Sequence, residues 1–557
     1  MSDEFEASLF PELVVGIAGP IGIDIDEIAG TLDKALKGVG YSSSTIRITD
    51  EIASETTSIE LPTSSDFYDK MVYKMDHASE VCRRRQSADT LMRIAIRAIR
   101  RERGLLAEAK SAQPGQQLLK ADDEPEDQVQ ARHAFIIRQL KRPEEVNLLR
   151  KVYGKQFILV SAYGSIESRK AIIETKIRRS APLNVADHDI SHKADMLIDR
   201  DANENADAHG QHLRETFHLA DVFIDGIQKS AMTQMSRRFV EALFGRNDVA
   251  PSKAEYGMYA AKAASFRSSD LSRQVGAAAF SPEGEIIAQG CNEVPKAFGG
   301  TYWDGESPDF RDVKLGHDPN DILKKEVIRD FLERLENSSL LSPNAKKFGD
   351  SASLVEALIT KKSILPPMPG QGALVGAKIN DLTEYGRVVH AEMSVVCDAA
   401  RLGKPLKGAT LYVTTFPCHN CTKHILGAGV ARVVFMEPYP KSKAKELHEN
   451  EVELEKESQD RVSFIPFLGI SPEIYQNIFK KGKRKRDGYA TAWYHGEPRP
   501  MIGPKYASYV QTEALEVFSL YSSLKKSSST QSDALLDAIT PDPAEQQGPS
   551  EGEDITQ

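Results

Sequence analysis

The sequence contains no apolar run of the roughly 18 residues that a membrane-spanning helix needs. Its first residues, MSDEFEASLFPE, are acidic and lack the basic and then apolar pattern of a secretory signal. Cysteine is scarce, with 5 in 557 residues, which excludes a dense disulfide framework and fits a reducing compartment. We therefore expect a cytoplasmic protein that has no membrane partner.

The chain also lacks an excess of positive charge. It has 71 Lys and Arg against 81 Asp and Glu, a formal net charge of −10, whereas dedicated nucleic-acid-binding proteins tend to be basic. Local basic stretches are present at Arg83–Arg85, Arg97, Arg100, Arg101, Arg103 and Lys480–Arg486. Each could be a solvated surface or a contact for phosphate or RNA, so a regulatory RNA stays open as a partner.

A chain of this length is too long for one ordinary hydrophobic core. Residues 1–245 alternate strand and helix patterns, which indicates a parallel sheet. Residues 250–500 form a second α/β domain, interrupted by an insertion at residues 293–384. From residue 522 to 557 the composition turns to Ser, Asp, Glu, Pro and Gln, which predicts a disordered tail. The predicted fold class is α/β, with two domains and this tail.

The N-terminal domain begins with a strand, a glycine turn at Gly19 and Gly22, and a helix, the layout of a phosphate-binding loop. A working loop needs G-x-x-x-x-G-K-[ST], with a lysine for the phosphates and a hydroxyl for Mg²⁺. A match that starts at Gly19 puts Asp24, Ile25 and Asp26 where Gly, Lys and Ser or Thr belong. The sequence therefore predicts a P-loop-like parallel-sheet domain with a degenerate loop. It would be a noncatalytic nucleotide sensor or a purely structural domain.

Two short motifs in the second domain carry chemistry together, His390-Ala-Glu392 and Pro417-Cys-His-Asn-Cys421. The His390 imidazole with the Cys418 and Cys421 thiolates can hold Zn²⁺ and leave its fourth tetrahedral position open. Glu392 is not a ligand and can move protons. The combination H-x-E and P-C-x-x-C is typical of zinc-dependent nucleobase deaminases. The alternative, a structural zinc knuckle, normally needs four protein ligands and has no use for Glu392.

Strand and helix patterns around these motifs follow the order ββ-α-β-α-β. We predict strands at 275–280, 285–290, 410–415 and 432–436, and helices at 390–401 and 422–428. Both ligand sets then lie at helix N-termini, where the helix dipole and free N–H groups favour thiolates.

Four segments of the second domain resemble deoxycytidylate deaminases: SDLSRQVGA at 269–277, GCNEVP at 290–295, HAE at 390–392 and FPCHNC at 416–421. The N-terminal region resembles the degenerate P-loop kinase-like domain that is fused to such deaminases in bacterial antiphage defence, on residues 142–150 and 197–201. The resemblance implies a cytidine-deaminase-like α/β/α domain that converts deoxycytidine nucleotides to deoxyuridine nucleotides. Its substrate would be dCMP, with dCTP as a second candidate.

The resemblance also assigns residues. His390, Cys418 and Cys421 match the zinc ligands, and Glu392 matches the proton shuttle. Asn292 matches an asparagine that contacts the nucleoside, although asparagine is also common in turns. The other candidates for substrate binding are Ser269, Asp270 and Arg273 near the phosphate, Tyr385 in the pocket or the core, and the Ala391 backbone beside the tetrahedral intermediate.

The insertion at 293–384 distinguishes the chain from compact deaminases and could build a lid, an effector site or an oligomer contact. We expect a homo-oligomer regulated by deoxynucleoside triphosphates, because related deaminases respond to dCTP and dTTP. Three alternatives stay open. They are a housekeeping dCMP deaminase, an RNA or DNA cytosine editor, and a nucleotide- or RNA-sensing protein whose deaminase is vestigial.

Overall fold

The computed structural model describes residues 3–111, 125–181, 186–202, 210–360, 372–382, 384–439, 441–502 and 509–522. Apart from Ser522, the predicted tail at 522–557 lies outside these residues. The chain forms two compact units, the first made of Met1–Val249 and Lys480–Gln557 and the second of Ala250–Phe479. Across the described part of the chain, no helix has the length and apolar character that spanning a membrane requires.

The first unit contains a parallel sheet. Its strands are β1 (Leu13–Ala18), β2 (Ser42–Arg47), β3 (His133–Leu140), β4 (Phe157–Tyr163) and β5 (Val222–Asp225). They pair in the order β5-β4-β1-β3-β2. The central strands β1 and β4 are buried along almost their whole length, as expected for a parallel sheet that is covered on both faces.

Within the described residues, ten helices of the first unit precede the second unit. They are α1 (Asp3–Leu9), α2 (Ile25–Lys37), α3 (Ile48–Glu51), α4 (Phe67–Arg84), α5 (Thr90–Ser111), α6 (Pro143–Tyr153), α7 (Ile166–Ser180), α8 (Asp187–Ala202), α9 (Leu213–Phe217) and α10 (Lys229–Leu243). The predicted strand, glycine turn and helix at the N-terminus are confirmed. Helix α2 begins after Asp24, whose carboxylate accepts a hydrogen bond from the Glu27 N–H at 3.1 Å.

The second unit holds nine helices and seven strands. The helices are α11 (Lys253–Ser265), α12 (Asp312–Leu315), α13 (Pro319–Asn337), α14 (Pro343–Lys346), α15 (Ser351–Ile359), α16 (Ala391–Arg401), α17 (His419–Gly427), α18 (Ala444–Leu447) and α19 (Tyr475–Phe479). The strands are β6 (Gly276–Phe280), β7 (Ile286–Cys291), β8 (Thr410–Thr415), β9 (Arg432–Glu437), β10 (Val452–Leu454), β11 (Val462–Pro466) and β12 (Gly469–Ile470). These counts refer to the described residues.

Six of these strands form a mixed sheet in the order β10-β11-β9-β8-β6-β7, with β6 antiparallel to both its neighbours. Alternate residues along a strand face opposite layers. Ala277 of β6 lies in an apolar cluster with Val395 of α16 and Ile425 of α17. On the other face, Tyr412 of β8 packs so closely on α11 that a Cβ at Gly257 would lie 2.3 Å from its ring. The second unit is therefore an α/β/α sandwich, as predicted.

The predicted ββ-α-β-α-β order is confirmed, with one boundary wrong. Helix α17 begins at His419, earlier than the predicted residue 422. Its N-cap is Cys418, whose sulfur accepts a hydrogen bond from the Cys421 N–H at 3.4 Å. The insertion supplies α12 to α15, and Ile328, Leu332 and Leu354 form part of a small apolar core there.

The predicted end of the second domain at residue 500 is corrected to Phe479. Residues 480–502 return to the first unit because their backbone hydrogen-bonds to the segment that follows α10. The Asn247 N–H donates to the Ala492 carbonyl at 2.9 Å, and the Arg499 N–H to the Phe244 carbonyl at 3.2 Å. This segment carries β13 (Lys485–Arg486) and β14 (Tyr489–Ala490), and a last helix, α20, covers residues 509–522.

The arginines of the predicted basic stretch near the N-terminus pair with carboxylates of the first unit. Arg103 is fully buried and bridges Glu12 and Glu513, each at 2.7 Å. Arg101 bridges Glu51 at 2.7 Å. Because internal partners neutralise this charge, the stretch gives little support to the RNA contact that the sequence left open.

Candidate active site

Three potential metal ligands meet where two helices begin. His390 is the N-cap of α16, Cys418 is the N-cap of α17, and Cys421 lies in the first turn of α17. The His390 Nδ1 atom lies 3.4 Å from the Cys418 Sγ and 3.5 Å from the Cys421 Sγ. A tetrahedral zinc ion with ordinary bond lengths would separate a nitrogen and a sulfur ligand by about 3.6 Å. The donor set therefore fits zinc and leaves one coordination position open.

In this cluster the protonation of each residue depends on the protonation of its neighbours. A hydrogen bond from Cys421, together with the nearby His390 imidazole, lowers the pKa of Cys418 to about 4. The hydrogen bond to Cys418 raises the pKa of His390 to about 9, and the same cluster raises the pKa of Cys421. Metal binding displaces these protons, because cysteine binds a metal as thiolate and histidine as neutral imidazole.

Glu392 lies in the first turn of α16 and is 4% exposed. Burial raises the pKa of Glu392 to about 7, although the His390 imidazole opposes this change. A carboxyl group with a pKa near neutrality can both accept and release a proton during a reaction. Glu392 is not part of the His390, Cys418 and Cys421 ligand group, which agrees with the separate role predicted for it.

The cluster opens into a cavity of about 210 Å³. Its walls are formed by Asp270, Ser272, Arg273, Val275, Asn292, Asp318, Asn320, Gly386, Arg387, Val388, His390, Glu392, Thr415, Phe416, Cys418 and Tyr439. Metal ligands, a buried carboxyl group and two arginines thus share one space. Such a cavity can hold a polar ligand with its reacting end at His390 and its anionic end near an arginine.

Asn292 joins the separate parts of this wall. Its Nδ2 group donates to the Asp270 carboxylate at 3.0 Å and to the Arg273 carbonyl at 3.2 Å. Its Oδ1 atom accepts a hydrogen bond from the Ala391 N–H at 2.9 Å. The expected role of Ala391 is corrected, because this N–H already has a partner and is not free to orient an intermediate.

Three of the predicted substrate-binding residues, Ala391, Ser269 and Tyr385, lie outside the cavity wall. Ser269 donates from both its N–H and its hydroxyl to the buried Glu293 carboxylate, at 3.0 and 2.8 Å. Tyr385 has a side chain that is 43% exposed, and its N–H donates to Asn320 Oδ1 at 3.3 Å. Its chain neighbours Gly386 and Arg387 line the cavity instead.

The sequence did not predict the contribution of the insertion to this wall. Asp318 caps helix α13, which begins with Pro319, and Asn320 follows in its first turn. Both Asp318 and Asn320 line the cavity. Arg387, three residues before His390, pairs with Asp312 of the insertion at 2.9 Å. Asp318 and Pro319 mark the start of α13 in the sequence, but no sequence pattern predicts that this helix start lies beside the metal ligands.

Comparison with known proteins agrees with this chemistry. Residues 251–437 match the family model of the cytidine and deoxycytidylate deaminase zinc-binding region. Over 55 residues the chain is 44% identical to the deoxycytidylate deaminase of Enterobacteria phage T4, covering 10% of this chain and 28% of that protein. It is 34% identical over 94 residues to ComE operon protein 2 of Bacillus subtilis, covering 15% and 50%. The human deoxycytidylate deaminase is 39% identical over 54 residues, covering 10% and 29%.

The chain thus spans half or less of the length of these curated relatives. A crystal structure of dCMP deaminase from the cyanophage S-TIM5, in complex with dCMP and dUMP, aligns with 39% of this chain and 98% of that chain. The identity is 18% and the TM-score is 0.21, so this likeness carries no argument.

The His390, Cys418 and Cys421 group and the family-model match together indicate a zinc-binding region of the cytidine and deoxycytidylate deaminase type within residues 251–437. Residues 251–437 are thus similar to the zinc-binding region of cytidine and deoxycytidylate deaminases, and zinc is the metal of that region. The zinc-binding motif predicted from the sequence is confirmed.

Proposed function

We propose that this chain deaminates deoxycytidine nucleotides, dCMP and also dCTP, to the corresponding deoxyuridine nucleotides. One observation carries the proposal. His390, Cys418 and the buried Glu392 line the same cavity as Asn292, and the buried Cys421 completes the metal-ligand group. The match of residues 251–437 to a cytidine and deoxycytidylate deaminase region supports the choice of base.

The chemistry divides between metal and carboxyl group. Zinc held by His390, Cys418 and Cys421 would supply the Lewis acidity that makes water nucleophilic near neutral pH. Glu392 takes a proton from the water that attacks C4 of cytosine and transfers it to N3. It then takes the proton of the new C4 hydroxyl and passes it to the departing amine, so that C4=O forms as the C4–N bond breaks and ammonia leaves. Burial of Glu392 supports this role, because a pKa of about 7 lets one carboxyl group both accept and donate.

The cavity suits a free nucleotide better than a base within a nucleic acid. Arg273 is paired with Glu437 and Arg387 with Asp312 at 2.9 Å, but their side chains remain 43% and 35% exposed and line the cavity, so that, unlike the buried Arg103, they can still donate to a phosphate. A free nucleotide needs no base flipping, whereas an editor acts on single strands or extrudes its base. The net charge of −10 also disfavours extended contact with nucleic acid.

The biological role that we propose is antiphage defence by depletion of the deoxycytidine nucleotide pool. The support is the resemblance of the N-terminal region to a domain fused to defence deaminases, together with a separate α/β unit outside residues 251–437. We further propose a cytoplasmic homo-oligomer that is regulated by deoxynucleoside triphosphates. The alternative role, a housekeeping enzyme of pyrimidine supply, would use the same chemistry but would not depend on phage infection.

The substrate is tested by incubating the purified, zinc-loaded protein with dCMP, dCTP, CMP or single-stranded DNA, and measuring the uracil product. We expect product from the deoxynucleotides and none from DNA. Product from single-stranded DNA alone would indicate an editor. A zinc-loaded protein that deaminates no substrate would favour a sensing protein with a vestigial site.

The biological role is tested in bacteria that express the chain or its Glu392→Ala variant. Nucleotide pools are measured before and during phage infection. We expect dCTP to fall and dUMP to rise on infection, with wild-type protein only. An equal fall of dCTP with and without phage would favour the housekeeping role.

A further inference from the structure

A buried carboxylate binds the glycine turn of the first unit. Asp201, in the last turn of α8, is 1% exposed. Its Oδ2 atom accepts a hydrogen bond from the Ile21 N–H at 2.7 Å. Its Oδ1 atom accepts one from the Lys141 Nζ at 2.6 Å, and Lys141 also donates to the Gly19 carbonyl at 2.7 Å. Asp201 and Lys141 therefore form a buried ion pair against the turn.

The ion pair lies against a turn whose position in the fold is one where proteins commonly bind phosphate. A glycine turn between the end of a parallel strand and the start of a helix presents backbone N–H groups, and proteins use such turns to bind phosphate. Here the turn follows β1 and leads into α2. The negative group that the turn binds is the Asp201 carboxylate of α8. The cation is Lys141, which directly follows β3 and is not part of the turn.

The surrounding helices occupy the space above the turn. Gly22 has a φ of +97°, and a Cβ there would lie 2.9 Å from the Cβ and 3.0 Å from the Cα of Arg169 in α7. Ile21 packs in one apolar cluster with Ile173 of α7 and Leu197 of α8. Helices α7 and α8 thus cover the turn with backbone, apolar side chains and the buried Arg169 guanidinium, which donates to the Ile21 carbonyl at 3.4 Å.

We propose that the turn from Gly19 to Gly22 is an anion site that the protein fills itself. The Asp201 carboxylate takes the place of a phosphate, and Lys141 balances its charge. This accounts for Ile25 where a phosphate loop carries its lysine, because the cation comes from Lys141. The proposal concerns the first unit only and does not depend on the proposed deaminase activity.

The test removes the carboxylate and supplies a substitute. In full-length Asp201→Ala, formate has the size and charge of the group that the substitution deletes. Amide hydrogen exchange of the segment containing Ile21 is measured in sodium formate and in sodium chloride at equal ionic strength. We expect exchange about tenfold faster than in wild type in chloride, from the loss of one buried hydrogen bond, and restored protection in formate.

Asp199→Ala is the matched control, because Asp199 is an exposed aspartate of the same helix. It and the wild type should show slow exchange in either salt and no change with inorganic phosphate. Wild-type exchange at Ile21 that slows further with phosphate would show an open site and overturn the proposal. So would an Asp201→Ala variant whose exchange is as slow as in wild type, or is no slower in formate than in chloride.

If the Asp201→Ala variant does not fold, a second measurement on other variants tests the proposal. Asp201→Asn and Lys141→Met are made singly and together, and their thermal unfolding midpoints are compared with that of the wild type. The proposal expects the double variant to lose clearly less than the sum of the single losses, because each single variant leaves a buried partner unpaired. Additive losses would show that the two residues do not act as a pair and would overturn it.

Discussion

The Asn292 Oδ1 atom accepts a hydrogen bond from the Ala391 N–H at 2.9 Å. This bond fixes the residue after β7 against the first residue of α16, the helix that places Glu392 beside the metal ligands. A side chain that the resemblance assigns to nucleoside contact therefore also positions the helix that carries Glu392.

Asn292→Ala should lower kcat/KM by roughly 10- to 100-fold, because it leaves a buried N–H without a partner at a cost of about 1–3 kcal/mol. Bound zinc should stay stoichiometric, since no ligand changes. Asn344→Ala, at an exposed asparagine of the same unit, is the control and should keep full activity. Unchanged kcat/KM in Asn292→Ala would contradict the positioning role.

Glu392→Ala should abolish deamination while zinc binding persists. Glu392 lines the cavity without belonging to the ligand group, and loss of a general acid–base typically costs about 10²- to 10⁴-fold in rate. Zinc content and turnover are measured on the same preparation. Substantial turnover by this variant would refute the proton-transfer role of Glu392.

Replacing both Cys418 and Cys421 by alanine should remove the metal, because one histidine ligand is too weak to hold zinc alone. Cys397→Ala is the matched control, since Cys397 is an exposed cysteine of the same unit. We expect full zinc content and activity in the control and neither in the double variant. Retained zinc in the double variant would place the metal elsewhere in the chain.

The first unit should not transfer phosphate. Ile25 replaces the lysine of a phosphate loop, and Asp201 binds the turn. Radiolabelled ATP with nucleoside or nucleotide acceptors should give no product above a heat-inactivated control. Reproducible transfer that is lost in variants of Gly19 or Gly22 would contradict this prediction.

Triphosphate regulation, if the proposed function holds, should reside in the second unit. The insertion contributes Asp318 and Asn320 to the cavity wall, whereas the turn of the first unit is filled. Effects of dCTP and dTTP, typically ~5- to 150-fold for allosteric coupling, should be kept by residues 250–479 alone. Rates against dCMP concentration are compared with the full chain. A response confined to the full chain would place the sensor in the first unit.

Local sequence patterns predicted the elements that carry the active site. Strand β8 has the predicted bounds, Thr410–Thr415, because it is rich in β-branched residues and the PCxxC motif follows it closely. The start of α17 was missed because its cap is the Cys418 sulfur, and cysteine is not among the usual N-cap residues.

Contacts between distant segments could not be predicted. Asp201 lies 180 residues along the chain from Ile21, and neither sequence pattern points to the other. The same holds for Asp318, which reaches the cavity only because the insertion folds back towards His390. Hydrophobic periodicity indicates which face of an element is buried, but not which remote residue it meets.

The salt bridge between Arg103 and Glu513 has a consequence for synthesis of the chain. Glu513 lies in α20, and Ala250–Phe479 form a different unit between the two partners. At about 5–20 residues per second, a ribosome spends on the order of ten seconds or more on that intervening unit. Throughout that time Arg103 of the nascent first unit can pair with Glu12 but not with Glu513, which has not yet been synthesised. The polypeptide that emerges first is therefore completed last, and a premature stop before residue 513 would leave it unfinished.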